Sequence, residues 1–170
     1  MRYLRPLTLR QRVVALRMLV TPVVVELMHE WKELCIDLNI AEDVTVCVDE
    51  EALLQVFGEL FGNALQATNG SGIIRVHASF TQMTKDNGRL VPSAHLVVED
   101  DGPGVPSQLV ERLFDPFVTG STQGTGLGLA FVKRVIEEHG GSIRYEPVVP
   151  HGARFIFALP AVLEEHVNDA

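Results

Sequence analysis

The apolar positions of the chain change period several times, and each change marks an element. Thr21-Pro22 reads as an N-cap with proline at the first helical position, and Val24, Leu27, Met28, Trp31 and Leu34 follow at helical spacing, so a helix is expected from there to about Cys35. Two short apolar runs, Cys35–Ile40 and Val44–Val48, have strand length. Asp49 then stands at an N-cap position. From 50 to 67, Leu53, Val56, Phe57, Leu60, Phe61, Ala64 and Leu65 form one broad stripe, which leaves Glu59 and Asn63 one turn apart on another face. Ile74, Val76, Ala78 and Phe80 alternate with Arg75, His77 and Ser79 as in a half-buried strand. His95 to Glu99 reads as a further strand that runs straight into Asp100-Asp101-Gly102-Pro103-Gly104. A short helix is expected near Ser107–Leu113, and a longer one over 126–139 with Leu129, Val132, Val135 and Ile136 on its buried side and Gly140-Gly141 to stop it. Ser142–Tyr145 and Ala153–Leu159 read as two closing antiparallel strands around the Pro150-His151-Gly152 turn.

This order implies one mixed α/β domain, and 170 residues at 46% hydrophobic composition suffice for its core. With only Cys35 and Cys47, no disulfide framework is implied and a cytoplasmic setting is expected. A net charge of -8 disfavours general affinity for nucleic acid or for an anionic membrane. The apolar stretch from Val13 to Met28 is interrupted by Arg17 and Glu26, so neither a membrane span nor an export signal is read. The charge is unevenly spread. Arg2, Arg5, Arg10, Arg12 and Arg17 fall in the first 25 residues with no acid among them, which sets residues 1–20 apart as a basic arm or linker before a domain at 21–162 and an acidic tail at 163–170.

Three features carry candidate chemistry. Gly124-Thr125-Gly126-Leu127-Gly128, opening a helix, offers free backbone N–H groups and a positive dipole end to phosphate; it lacks the Lys of a Walker A loop, and a plain tight turn reads equally well. Asp100 closes a strand where Gly102 and Gly104 let backbone bend around a ligand, and its carboxylate could accept a hydrogen bond from an exocyclic amine; the alternative is an ordinary Asp-Gly turn. The Asn63 amide oxygen is a hard ligand suited to Mg²⁺, and Glu59 one turn earlier could orient or deprotonate an attacking group; the alternative is a solvated polar face.

Taken in order, Glu59-Leu60-Phe61-Gly62-Asn63-Ala64, Asp100-x-Gly102-x-Gly104, Phe114-Asp115-Pro116-Phe117 and Gly124-x-Gly126-x-Gly128 resemble the N, G1, F and G2 boxes of the GHKL ATPase superfamily. Val48-Asp49, Asn63-Ala64-Leu65-Gln66-Ala67, Val132-Lys133 and His139-Gly140-Gly141-Ser142-Ile143 narrow the resemblance to the catalytic, ATP-binding domain of two-component sensor histidine kinases. It implies a Bergerat-type two-layer α+β sandwich, with a mixed sheet packed on helices and ATP between the Asn63 helix and a lid. Carried over by position, Asp100 binds the adenine amino group, Gly102 and Gly104 shape the base pocket, and Asn63 holds Mg²⁺. Glu59 lies near the γ-phosphate as the catalytic residue. Gly124, Thr125, Gly126, Leu127 and Gly128 supply hinge and N–H groups, and Phe114 and Phe117 anchor the other end of the lid. The implied partners are a histidine-containing dimerisation domain, which receives the phosphoryl group, and a response regulator, which takes it on through an aspartate in a phosphorelay. No direct membrane insertion is expected of this chain itself, and any membrane anchor is expected elsewhere in the parent protein.

The chain departs from the pattern in three places. Glu59 stands where many sensor kinases have Asn, Gln66 where Lys is frequent, and the lid Val118-Thr119-Gly120-Ser121-Thr122-Gln123 is short and without Lys or Arg, so weak affinity for isolated nucleotide is expected. None of the six histidines reads as the phosphoryl acceptor: His29 precedes Glu30 as an acceptor would but lacks the pair of long helices, and His77, His95, His139 and His151 each fit a strand, cap or turn, while His166 belongs to the acidic tail. Two rival readings follow. One is an inactive GHKL domain kept as a protein-interaction surface, and the other is a free-standing anti-sigma-type Ser/Thr kinase, suggested by Glu59.

Overall fold

The computed structural model describes residues 8–84, 87–120 and 124–162. In chain order the elements are β1 (Arg12–Ala15), α1 (Leu16–Glu30), β2 (Leu34–Ile40), β3 (Thr45–Val48), α2 (Glu50–Thr68), β4 (Gly72–Thr84), β5 (Leu90–Asp100), α3 (Ser107–Val110), α4 (Gly128–Glu138), β6 (Ser142–Pro147) and β7 (Ala153–Pro160). A five-stranded sheet runs β2-β4-β5-β7-β6, and β1 and β3 form a separate two-stranded ribbon. Only the β2–β4 pair is parallel, so the sheet is mixed, as expected.

Side-chain alternation decides which face of the sheet is covered. Ile74, Val76 and Ala78 of β4, Leu96 and Val98 of β5, and Phe155, Phe157 and Leu159 of β7 are buried beneath Leu53, Phe57, Leu60 and Phe61 of α2 and Val132, Val135 and Ile136 of α4. Asp100 ends β5 on this same inward row. The outer face carries charge: Asp37, Arg75, Glu99, Arg154 and Glu146 stand in register across all five strands with alternating sign. Glu99 pairs with Arg75 at 3.1 Å and with Arg154 at 2.7 Å, and Arg154 reaches Glu146 at 3.7 Å. Such cross-strand pairs favour this register over a slip that would bury the charges.

The first helix differs from the expectation at both ends. It starts at Leu16, runs through Pro22 and stops at Glu30, with the Trp31 N–H donating to Leu27 O at 2.8 Å. Thr21 is not a cap; its hydroxyl donates to Arg17 O at 2.7 Å within the helix. The reason lies in the core: Leu16, Val20 and Val24 form one buried stripe, and Pro22 faces solvent, where water can satisfy the carbonyl its missing N–H leaves free. The basic segment is tied in as well. β1 pairs antiparallel with β3, the Arg10 N–H donates to Asp49 Oδ2 at 2.7 Å, and the Arg12 guanidinium pairs with Glu50. Residues 12–20, which the charge pattern assigns to an arm, therefore pack with the domain, while Arg2, Arg5 and the tail at 163–170 lie outside the described residues. No helix among the described residues is long and apolar enough to cross a membrane.

α2 follows its sequence pattern closely. Asp49 caps it by accepting the Ala52 N–H at 3.0 Å, and Asn69 closes it in the left-handed conformation at φ 53°. Asp49 also meets α4: its own N–H donates to His139 Nε2 at 2.9 Å, and His139 Nδ1 faces Val135 O at 2.7 Å, so Nδ1 carries the proton and the buried imidazole is the neutral tautomer. The N–H groups of Arg10 and then Ala52 hold the Asp49 carboxyl below its ordinary value of 3.8. A lowered carboxyl stabilises the fold above its unfolded value and loses that contribution as pH falls through the folded one. Asp49→Ala is expected to cost about 1–2 kcal/mol in urea unfolding at neutral pH, as loss of a helix cap does, and the gap from the parent should close as the pH drops below that value.

Candidate functional site

A cleft of about 600 Å³ opens between α2, the loop after β5 and the segment before α4. Glu59 and Asn63 reach it from the middle of α2, because the apolar stripe that fixes α2 on the sheet points its next face there. Asp100 and Gly104 line it from the β5 loop, and Gly124, Thr125, Gly126 and Gly128 from the approach to α4. Leu109, Leu113, Leu129 and Phe155 supply apolar walls fit for a planar ring.

Asp100 is 4% exposed, and its Oδ1 accepts the Gly102 N–H at 2.9 Å. Burial pushes its carboxyl above the ordinary 3.8, outweighing the hydrogen bonds from Gly102 and Ala153, and the nearby Asp101 and Glu99 charges push the same way. A buried carboxylate with no cationic partner among the described residues is costly, so its presence at a cleft points to function. Asn63 gives a second one: its amide nitrogen is buried and has no hydrogen-bond partner among the described residues. The two ends of an amide exchange by a half-turn, so the unpartnered end can equally present Oδ1, an oxygen donor suited to Mg²⁺.

Glu59 and α4 approach each other closely. A Cβ at Gly128 would lie 2.4 Å from Glu59 Oε2, so any larger first residue of α4 would make this carboxylate swing aside. The carboxylate thus sits at the positive end of α4, near the place a phosphate would take. At the other end of the lid, Phe117 has φ 67° and its N–H donates to Gly126 O at 2.8 Å. A Cβ on Gly126 would come within 2.5 Å of the Phe117 backbone, so glycine is required there.

Eight of the sequence-selected residues therefore meet in one cleft: Glu59, Asn63, Asp100, Gly104, Gly124, Thr125, Gly126 and Gly128. Four do not line it, among them Phe114, which packs on Phe155 with ring centroids 6.4 Å apart. Gly102 borders an adjoining, shallower depression of about 400 Å³, Leu127 precedes α4 with its N–H on Thr125 Oγ1 at 3.4 Å, and the Phe117 side chain is 76% exposed. Ser121, Thr122 and Gln123 of the lid lie outside the described residues. Among the described residues no Lys or Arg lines the cleft. The motifs gave no signal for Phe155, whose only mark in the sequence is its place in an alternating strand.

Comparison with known proteins agrees with the geometry. The family described as histidine kinase-, DNA gyrase B-, and HSP90-like ATPase matches residues 48–163. The sensory histidine kinase/phosphatase NtrB of Rhodobacter capsulatus is 38% identical over 121 residues, which are 69% of this chain and 34% of that protein. The sensor histidine kinase ZraS of Escherichia coli O157:H7 is 38% identical over 66% of this chain and 22% of its own length. The chain thus spans about a third or less of these relatives. Among solved structures, the catalytic domain of histidine kinase ThkA in nucleotide-free form superposes with a TM-score of 0.75 at 31% identity, covering 89% of this chain and 95% of that one. Full-length ShkA in complex with AMPPNP superposes at 0.72 with 31% identity, covering 94% of this chain and 33% of that one. The chain belongs to the histidine kinase-, DNA gyrase B- and HSP90-like ATPase family, as an ATP-binding domain of the kind that sensor histidine kinases carry.

Proposed function

We propose that this domain binds ATP with Mg²⁺ and passes the γ-phosphoryl group to a histidine on a separate helical dimerisation domain, from which a response regulator takes it. The observation that carries this reading is the buried Asp100, a carboxylate fixed by the Gly102 N–H at the inner end of an apolar-walled cleft. In its ionised form it is an acceptor only, which matches the donor edge of adenine. Asn63 would hold the metal through its amide oxygen, and Mg²⁺ would neutralise phosphate charge that no Lys or Arg among the described lining residues can meet. Gly104 would leave room for the base, and the N–H groups from Gly124 to Gly128 would receive the phosphates at the start of α4. Leu127 would contribute a backbone N–H, and Gly102 would serve through Asp100. Phe117 would anchor the lid.

In the transfer the imidazole nitrogen forms the N–P bond as the bond from phosphorus to the ADP oxygen breaks, and ADP leaves with that electron pair. Glu59, beside the first residue of α4, would orient the imidazole and take up its proton. Positioning and charge neutralisation supply most of the rate in such transfers. Glu59 also fits a Ser/Thr acceptor, and the acid lability of phosphohistidine against the stability of phosphoserine separates the two.

Calorimetric titration tests the nucleotide site. The parent should bind ATP saturably with Mg²⁺, and Asp100→Asn, which swaps an acceptor oxygen for a donor, should lose at least about tenfold in affinity, as loss of a hydrogen bond to a charged group does. No binding by the parent at millimolar ATP would instead favour an interaction module. The same substitution should raise thermal stability at neutral pH. A raised carboxyl pKa stabilises the fold fully only below the unfolded value and loses that contribution as pH rises through the folded one, so the variant's advantage should fade as pH is lowered toward 3.8. Chelating the metal should weaken ATP binding by at least about tenfold, since among the described residues phosphate charge then meets only backbone N–H groups and the nearby Glu59 carboxylate; equally tight binding in EDTA would remove the Mg²⁺ role.

A further inference from the structure

The loop that follows Asp100 is held from behind by the hairpin of β6 and β7, through two side chains that belong to none of the family boxes. His151, at the hairpin tip, places Nδ1 at 2.9 Å from Asp101 O and 3.2 Å from Gly102 O. Both partners are carbonyls, so Nδ1 must be the protonated, donating nitrogen. Gly102 in turn donates its N–H to Asp100 Oδ1 at 2.9 Å. The imidazole is therefore two hydrogen bonds away from the carboxylate proposed to read the base, through one peptide unit. At the far end of the same loop the Val105 N–H donates to Tyr145 Oη at 3.3 Å. The Tyr145 ring packs on Phe155 with centroids 5.7 Å apart, and Phe155 packs on Phe114 at 6.4 Å. Phe155 and Val105 both line the cleft.

Glycines at 102 and 104 give this loop freedom that a bound base would have to remove on every binding event. Ordering it in advance lowers that cost. We infer that His151 and Tyr145 are positioning residues for the nucleotide site, clamping the two ends of the 101–105 loop so that Asp100 is aimed before ATP arrives. This rests on the ATP-binding reading above. The clamp itself is a property of the free protein, and can be measured without nucleotide.

Three variants test it. His151→Ala removes the donor at an exposed hairpin tip, His151→Asn returns an N–H donor close to the position of Nδ1, and Tyr145→Phe removes the hydroxyl while keeping the ring on Phe155. In amide hydrogen exchange without nucleotide, Gly102 should exchange at least about fivefold faster in His151→Ala and Val105 faster in Tyr145→Phe, with the amides of α2 unchanged. In calorimetry with ATP and Mg²⁺, His151→Ala should weaken binding about five- to tenfold, and His151→Asn should restore it to within about twofold. A merely structural histidine would not show that rescue in affinity at unchanged melting temperature. If the parent binds ATP and Asp100→Asn does not, yet His151→Ala binds like the parent, the positioning role is wrong and the ATP reading stands. If the parent fails to bind, the ATP reading falls, and unchanged exchange at Gly102 and Val105 would remove the clamp too.

Discussion

Everything in the cleft depends on how α4 lies against α2. The two helices run antiparallel and are joined at both ends of α4. At one end the Asp49 N–H meets His139 Nε2 at 2.9 Å; at the other, Gly128 lets the Glu59 carboxylate approach without a Cβ between them. Between these points Val132, Val135 and Ile136 are fully buried with Phe57, Leu60 and Phe61 over the sheet. A close-packed interior resists shear, so the distance from Glu59 and Asn63 to the N–H groups at the start of α4 is inherited from the core. His139 stabilises this arrangement only as a neutral ring, since its Nε2 must accept while Nδ1 donates to Val135 O.

The sheet separates its two charge problems by face. Outward, Arg75, Glu99, Arg154 and Glu146 neutralise one another across neighbouring strands in water, where each pair is worth little but a mis-registered charge would cost much. Inward, Asp100 has no such partner among the described residues and is held by backbone N–H groups. The same strand β5 carries both Glu99 and Asp100, one residue apart and on opposite faces. The period of two thus puts a paired carboxylate and an unpaired one side by side, and only the unpaired one has binding energy left to offer.

Much of this was legible in the chain because local pattern and core burial agree. α2 with its Asp49 cap, the alternating β4, and the closing hairpin all follow from spacing alone, and eight of the selected residues converge on one cleft. The start of α1 was not legible, because Thr21-Pro22 imitates a helix start while the deciding fact, the burial of Leu16 and Val20, is tertiary. The pairing of β1 with β3 escaped for a similar reason: the basic residues before Leu16 read as an arm or linker, yet the Arg10 backbone N–H and the Arg12 guanidinium meet Asp49 and Glu50, far away in sequence. His151 and Tyr145 carried no motif. Their partners are backbone groups of a distant loop, and no residue pattern encodes a backbone partner.

The base of the lid shows how such strain is kept. Phe117 adopts a left-handed conformation that costs a residue with a Cβ about 1–2 kcal/mol, and its ring, 76% exposed, recovers little by burial. What it does obtain is a hydrogen bond of 2.8 Å from its N–H to Gly126 O, across an approach that only glycine permits. That bond ties together the two ends of the segment between Phe117 and Gly126, so the segment's ends move as one with α4 rather than independently. Because α4 is itself joined to α2 at both of its ends, the base of the segment at Phe117 and the backbone at Gly126 and Gly128 are held to the core.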